Sequence, residues 1–116
     1  MLRLYEVLPS EKQGTLEYDV WQSIYALEGE LSYERGKTTR LTRTRQKIVR
    51  DGEQTTVADL VLGKVSEGFR MLVDRNLPEL TFEAVALKHT DRFDERVLAA
   101  AGQRLSEAGY DPRRLV

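Results

Sequence analysis

The sequence predicts an all-α protein, a single-domain bundle of five or six helices that spans residues 1–116. Apolar residues recur at steps of three and four along most of the chain, which indicates amphipathic helices. Capping residues, glycines and prolines separate these stretches, and no stretch alternates long enough to favour a strand. The chain is 41% hydrophobic and 32% charged, which is typical of a folded domain of this length.

Residues 1–52 are predicted to form a long helix or a helical hairpin, and residues 53–116 a compact bundle of short, orthogonally packed helices. The stripe that predicts the first helix and its continuation consists of Leu16, Val20, Ile24, Leu27, Leu31, Thr38, Leu41, Arg45 and Ile48. Gly36 decides between the alternatives, because glycine inside a helix costs about 1 kcal/mol. An unbroken helix would be about 55 Å long and would pair with another chain. We expect a break at Gly36, with Thr38 or Thr39 capping the next helix.

Capping residues also predict the other helix boundaries. Ser10, in capping-box spacing with Gln13, or Thr15 starts the first helix. Later boundaries are predicted at Thr55 or Thr56 and Gly63, at Ser66 and Asn76-Leu77-Pro78, around a helix over 79–88, and at Asp94 and Gly109. The predicted core consists of Val20, Ile24, Leu27, Leu31, Leu72, Leu87, Leu98 and Leu105.

The chemistry that the sequence lacks argues against an enzyme. Cysteine is absent and His89 is the only histidine. A serine or threonine nucleophile would therefore have His89 as its sole conventional base, and no histidine pair can hold a metal. We expect His89 to complement the dipole at a helix end. No apolar run matches a bilayer, and no signal peptide is evident. The sequence therefore predicts a non-enzymatic, cytoplasmic protein without cofactor, metal or membrane association.

Aromatic residues face away from the aliphatic stripe of the first helix. Tyr18, Tyr25, Gly29 and Tyr33 lie close together on a helical wheel, with Trp21 at the margin. These side chains either pack against the C-terminal half of the chain or form an interface, since Tyr and Trp often anchor interfaces. The leading hypothesis is a small regulatory or adaptor protein that binds a protein partner, or a second copy of itself, through its N-terminal helical region.

Charge is strongly segregated, although the net charge is only −1. Residues 1–34 contain two basic and seven acidic side chains, whereas residues 35–50 contain seven basic and no acidic ones. The outward basic row consists of Lys37, Arg40, Arg43, Lys47 and Arg50. Such a row favours a second hypothesis, a nucleic-acid-binding protein that contacts phosphates. Alternatively, the row is solvated or pairs with Glu17, Glu28, Glu30 and Glu34 of the first helix.

Overall fold

The computed structural model describes residues 13–115 and confirms the all-α fold class. These residues form six α-helices and no strand. The helices are α1 (Leu16–Arg35), α2 (Thr42–Asp51), α3 (Glu53–Leu62), α4 (Glu67–Asp74), α5 (Phe82–Lys88) and α6 (Glu95–Glu107). Three short 3₁₀ turns lie at Pro78–Leu80, Thr90–Arg92 and Pro112–Arg114.

The first helix begins and ends at residues that the sequence indicated. The Thr15 side chain accepts a hydrogen bond from the backbone N–H of Tyr18 at 3.1 Å, as expected of an N-cap. The alternative start at Ser10 lies outside the described residues. Gly36 ends α1 with a φ of 70°, a left-handed conformation that glycine adopts without steric cost. The predicted break at Gly36 is therefore confirmed.

The predicted starts of α2 and α3 are wrong. Leu41, without a side-chain cap, precedes α2, and the backbone N–H of Thr39 instead donates to Ser32 Oγ at 2.8 Å. Gly52, with a φ of 89°, joins α2 directly to α3. Thr56 lies inside α3, where its buried hydroxyl donates to the Gly52 carbonyl at 2.8 Å. Both errors arise because several adjacent residues had capping side chains, and packing selected a different boundary.

The remaining boundaries follow the sequence more closely. Ser66 and Asp94 accept hydrogen bonds from the third backbone N–H that follows each of them, as predicted. Asn76 adopts a φ of 59° after α4. The predicted helix over 79–88 is shorter, because Thr81 caps α5 by accepting from the Ala84 N–H at 3.1 Å. The residues before Thr81 form the 3₁₀ turn Pro78–Leu80.

The core lies where α5 packs against α6, α3 and α1. Its buried apolar residues are Leu16, Val20, Ile24, Ile48, Val57, Val61, Val85, Ala86, Val97 and Ala101, with Phe69, Ala84 and Leu105 in an adjoining cluster. Of the predicted core residues, Val20, Ile24, Leu72 and Leu105 are buried, whereas Leu27, Leu31, Leu87 and Leu98 are only half-buried. The second half of α1 lies beside α4 and the segment 36–41, which cover it incompletely.

A buried ion pair joins three helices at one end of this core. The Glu83 carboxylate accepts from Arg104 Nη1 at 2.9 Å, and only 4% of the Glu83 side chain is exposed. Burial raises the pKa of Glu83, although the Arg104 hydrogen bond opposes that effect. Arg104 also donates to the backbone carbonyls of Leu60 and Gly63. Since α3 ends there, Arg104 satisfies carbonyls that the helix itself leaves without partners.

Candidate functional site

Helix α2 is attached to α1 through the carboxylate of Glu28. This buried carboxylate accepts from Arg45 Nε and Nη2, each at 2.7 Å, and from the Leu41 N–H at 2.8 Å. The two parallel bonds from Arg45 form the bidentate geometry that fixes both side chains. Because Leu41 precedes the first turn of α2, Glu28 binds the start of that helix where no local side-chain cap exists.

Arg45 is held between Glu28 and two aromatic rings of α1. Its guanidinium carbon lies 5.3 Å from the centre of the Trp21 ring and 5.6 Å from that of Tyr25. The two rings are themselves 5.8 Å apart. Cation–π attraction therefore adds to the hydrogen bonds. The hydrogen bond with Glu28 raises the pKa of Arg45, and burial partly offsets that rise.

The predicted aromatic face is divided by these contacts. Tyr18, Trp21, Tyr25 and Gly29 are half-buried, whereas Tyr33 is 73% exposed. Trp21 packs against the core, and its indole N–H donates to Glu53 Oε2 at 3.0 Å. Packing against the core therefore describes Trp21, whereas Tyr25 contacts Trp21 and Arg45, which both lie in the N-terminal half of the chain. Self-association through this face stays a prediction.

The predicted basic row is divided too. Lys37, Arg40 and Arg43 are exposed and form no ion pair with any residue in the range 13–115. Lys47 binds two carboxylates, Asp51 at 2.9 Å and Asp59 at 2.8 Å. Hydrogen bonds to these carboxylates raise the pKa of Lys47.

Arg50 lies 3.2 Å from the same Asp51 carboxylate. This hydrogen bond raises the pKa of Arg50, and the hydrogen bonds from Arg50 and Lys47 lower the pKa of Asp51. Lys47 and Arg50, at the C-terminal end of α2, thus share one local carboxylate. Only the first three residues of the row keep an unpaired charge among the described residues.

The acidic partners expected for this row bind other cations. Within the described residues, Glu17 pairs with Arg92, Glu28 with Arg45, and Glu30 and Glu34 both with Arg75. The alternative in which these glutamates pair with the row is therefore wrong. The break at Gly36 explains the difference, since it gives α2 a direction and a helical phase of its own. Arg45, which the continuous phase placed on the aliphatic stripe, faces Trp21 and Tyr25 instead.

An exposed valine on α2 was missed by sequence reasoning. Val49 is 87% exposed, although Ile48 beside it is buried. Adjacent helical residues point about 100° apart, so only one of the two can face the core. The sequence of two neighbouring aliphatic residues does not indicate which one does. Val49 lines a shallow surface groove of about 500 Å³ together with Arg40, Thr42, Arg45, Gln46 and Arg50.

His89 has a specific partner in addition to its place at a helix end. It follows the last residue of α5, as expected, and its Nε2 lies 2.7 Å from Asp19 Oδ2 of α1. Both side chains are mostly covered. The contact ties the end of α5 to the start of α1. His89 is therefore part of the helix packing, which the dipole interpretation did not anticipate.

Two further features, a metal site and a membrane-spanning helix, are absent from the part of the chain that the structure describes. Between residues 13 and 115, no group of three histidine, aspartate or glutamate side chains is arranged to hold a metal ion. The helices in that range are all too short or too polar to cross a membrane. Comparison of the chain with models of protein families, with curated proteins and with solved structures finds no match.

Proposed function

We propose that this protein is a small, non-enzymatic regulatory or adaptor protein that binds a protein partner through α2. The proposed binding site, called the α2 surface below, consists of Arg40, Thr42, Arg43, Gln46, Val49 and Arg50. The exposure of Val49 among cationic side chains is the observation that carries the proposal. The surface belongs to the N-terminal helical region, 1–52, that the sequence favoured for binding.

The composition of the α2 surface suits an acidic protein partner. Arginine is enriched in protein interfaces, where its planar guanidinium binds carboxylates with two hydrogen bonds. A desolvated aliphatic side chain near the centre of such a patch contributes affinity, while the surrounding charges steer the encounter. Val49 supplies the aliphatic contact, and the unpaired Arg40 and Arg43 supply the charge.

The attachment of α2 to α1 supports the same proposal. The Glu28–Arg45 pair fixes one side of α2, and the Ile48 side chain of the same helix is buried in the core. A surface that is already ordered loses less conformational entropy on binding than a flexible one. Because the contacts of Arg45 hold α2 in place, its outward side loses less conformational entropy on binding than the same residues would on a flexible segment.

Nucleic-acid binding is the second candidate, favoured by the unpaired charges of Lys37, Arg40 and Arg43. Phosphate contacts do not require an exposed aliphatic side chain, so this function leaves Val49 without a role. Asp51 and Asp59 also neutralise the other end of the row. If three cations contact phosphates, a plot of the logarithm of the affinity against the logarithm of the salt concentration should have a slope of about −2 to −3.

The decisive experiment compares Val49→Ala with Val65→Ala. Val65 is a matched control because it is also an exposed aliphatic residue, at 40%, but lies outside the α2 surface. A photo-crosslinking amino acid at position 46 identifies the partner, and the purified pair is then titrated. We expect Val49→Ala to weaken binding about three- to tenfold and Val65→Ala to leave it unchanged.

Charge variants separate the two candidates. Arg43→Glu should weaken binding of the protein partner, whereas Arg96→Glu on α6 should not. For the second candidate, the protein is titrated with a mixed-sequence duplex and a single strand at two salt concentrations. Salt-dependent binding that Val49→Ala leaves intact but Arg40→Gln and Arg43→Gln reduce would favour nucleic acid. If Val49→Ala and Val65→Ala change the affinity for the protein partner equally, the proposed role of α2 is refuted.

A further inference from the structure

Leu27 and Leu31 of α1 lie between two groups of oppositely charged residues that attach α1 to its neighbours. On a helical wheel, Glu28 lies about 100° to one side of Leu27 and Glu30 about 60° to the other. Glu28 binds Arg45 of α2, while Glu30 and Glu34 bind Arg75 at the end of α4. The two neighbours of α1 are thus attached on opposite sides of Leu27 and Leu31, and a gap lies between them.

This gap is a groove of about 620 Å³ between α1, the segment 36–41 and α4. Leu27, Leu31, Leu41 and Met71 provide its apolar lining, and all four are only half-buried. Methionine is unbranched and flexible, so it adapts to the shape of an occupant. The groove has the size of a site that accepts a short peptide segment or a drug-sized molecule.

A smaller pocket of about 130 Å³ adjoins the groove, with which it shares Leu27, Leu41 and Gly68. An apolar cavity of about 150 Å³ accepts benzene, so this pocket has room for one side chain of similar size. Helices α1 and α4 approach closely at this pocket, since a Cβ on Gly68 would lie 2.7 Å from Leu27 Cδ2.

Apart from Thr44, the polar side chains that line the pocket have partners within the protein. Ser23 donates to the Leu80 carbonyl, Ser66 accepts from the Phe69 N–H, and Thr81 donates to the Pro78 carbonyl. The Glu83 carboxylate is bound to Arg104. A polar occupant would find few vacant hydrogen-bonding groups there, and burying its own polar atoms without partners would be unfavourable. The pocket therefore suits an aliphatic or aromatic side chain.

The two sides of the groove differ in charge. Arg35 and Arg40 lie on the side of α1 and its following segment, and neither pairs with an acidic residue of the described chain. The α4 side carries Glu67 and Asp74 as well as Arg70. Glu34 of α1 and Arg75 at the end of α4 also line the groove, but these two pair with each other. Carboxylates of an occupant would be favoured on the first side. Arg40 also belongs to the α2 surface, so the groove and that surface are continuous.

We infer that the groove binds an amphipathic helical segment of the same protein partner, with acidic residues along one flank. One bulky apolar side chain of the segment enters the 130 Å³ pocket, further apolar side chains cover Leu31 and Met71, and carboxylates bind Arg35 and Arg40. Helix-in-groove binding uses apolar anchors at such helical spacing. The inference rests on the proposed function and specifies the partner's contacting element.

The test uses the full chain and an acetylated, amidated peptide with leucines at helical spacing and glutamates on one flank. Met71 is the methionine that lines the groove, so its methyl group, labelled with carbon-13, reports occupancy by NMR. We expect the Met71 signal to shift and saturate with the peptide. A scrambled peptide of identical composition should bind at least about tenfold more weakly, as should one with lysines in place of glutamates.

Two variants locate the binding site. Thr44→Phe places a ring in the small pocket and should abolish the Met71 shift, while Arg40→Glu should weaken binding about tenfold or more without entering the core. Arg96→Glu is the charge control. Absence of peptide binding, equal binding of the scrambled peptide, or binding unaffected by both variants would overturn the inference. Two further outcomes would also overturn it. A Met71 signal that changes with protein concentration would indicate that a second copy occupies the groove, and one that changes in the Leu4→Asp variant would indicate that the start of the chain does.

The outcome is distinguishable from failure of the proposed function. Val49 lines the shallow groove on α2 and not the groove between α1, the segment 36–41 and α4, so Val49→Ala should leave peptide binding unchanged. A partner that is lost with Val49→Ala but retained with Thr44→Phe would support the α2 surface and overturn the groove. Loss of peptide binding in Thr44→Phe, together with a partner indifferent to Val49→Ala, would support the groove and refute the α2 surface.

Discussion

Helices α2 and α5 are both short, yet they are held by different forces. Four of the seven residues of α5 are buried, including Ala84, Val85 and Ala86, which lie between α6, α3 and α1. In α2, only Ile48 of ten residues is buried. Its attachment depends largely on Arg45, which binds Glu28 and lies against two aromatic rings.

The difference separates the part of the molecule that maintains the fold from the part available for binding. Close packing of small aliphatic side chains tolerates little change, because a cavity or an extra atom in the core lowers the free energy of unfolding. A helix attached through one buried residue and one bidentate ion pair leaves most of its side chains free to vary. Accordingly, the exposed Val49 and the unpaired Arg43 belong to α2.

The largest loss of stability is expected when the ion pair between Glu83 of α5 and Arg104 of α6 is broken. Arg104→Met keeps most of the side-chain volume but leaves the Glu83 carboxylate buried without its cation. Removing one partner of a buried ion pair costs about 3–5 kcal/mol, and urea unfolding measures the loss. The double variant with Glu83→Gln should recover much of it. An Arg104→Met protein as stable as the wild type would show that the pair contributes little.

The same carboxyl group predicts a pH dependence. The pKa of Glu83 is raised in the folded protein, so the folded state binds this proton more tightly than the unfolded state does. The stabilising contribution is complete below the ordinary pKa of 4.5 and is lost as the pH rises through the folded-state pKa. Urea unfolding from pH 4 upwards should show this loss in the wild type. Glu83→Gln should remove that part of the profile.

A core truncation is expected to rank next. Leu105 is completely buried against the cluster that includes Phe69 and Ala84, so Leu105→Ala should cost about 2–5 kcal/mol in the free energy of unfolding. Leu98 is on the same helix but only half-buried, and Leu98→Ala should cost less. Equal losses in urea unfolding would contradict the burial difference between these two leucines.

The attachment of α2 can be weakened by a single conservative change. Arg45→Lys keeps the charge but cannot donate two parallel hydrogen bonds to Glu28. Hydrogen bonds to charged groups contribute about 1.5–3 kcal/mol each, so we expect a loss of that order. Trp21 is the only tryptophan and lies against Arg45, so its fluorescence reports the change directly. Arg43→Lys is the matched control and should alter neither fluorescence nor stability.

The smallest effect is expected on the outer side of α2. Lys47→Gln removes the ion pairs to Asp51 and Asp59, both of which are partly solvated. Exposed ion pairs contribute little because water screens them and the side chains lose freedom. The midpoint of urea unfolding should therefore stay within experimental error of the wild type. A clear drop would mean that α2 depends on this residue as well as on Arg45.

The sequence by itself determined the features that depend on near neighbours in the chain. The break at Gly36 and the caps at Ser66 and Asp94 involve residues that act within one helical turn, so their spacing was sufficient to predict them. The helical class and the burial of Val20 and Ile24 followed from periodicity for the same reason. Thr38 and Thr39 were assigned wrongly because propensity permits several helix starts, and packing selects one.

Only the tertiary structure decided which charges remain available for binding. Glu28 and Arg45 are 17 positions apart, and Glu83 and Arg104 are 21 apart. Pairing of this kind depends on how whole helices are oriented, and no local pattern specifies that orientation. The same holds for Leu27 and Leu31, whose periodicity predicted burial but which α4 and the segment 36–41 cover incompletely. Local physics fixed the helices, and long-range packing determined the groove and the α2 surface.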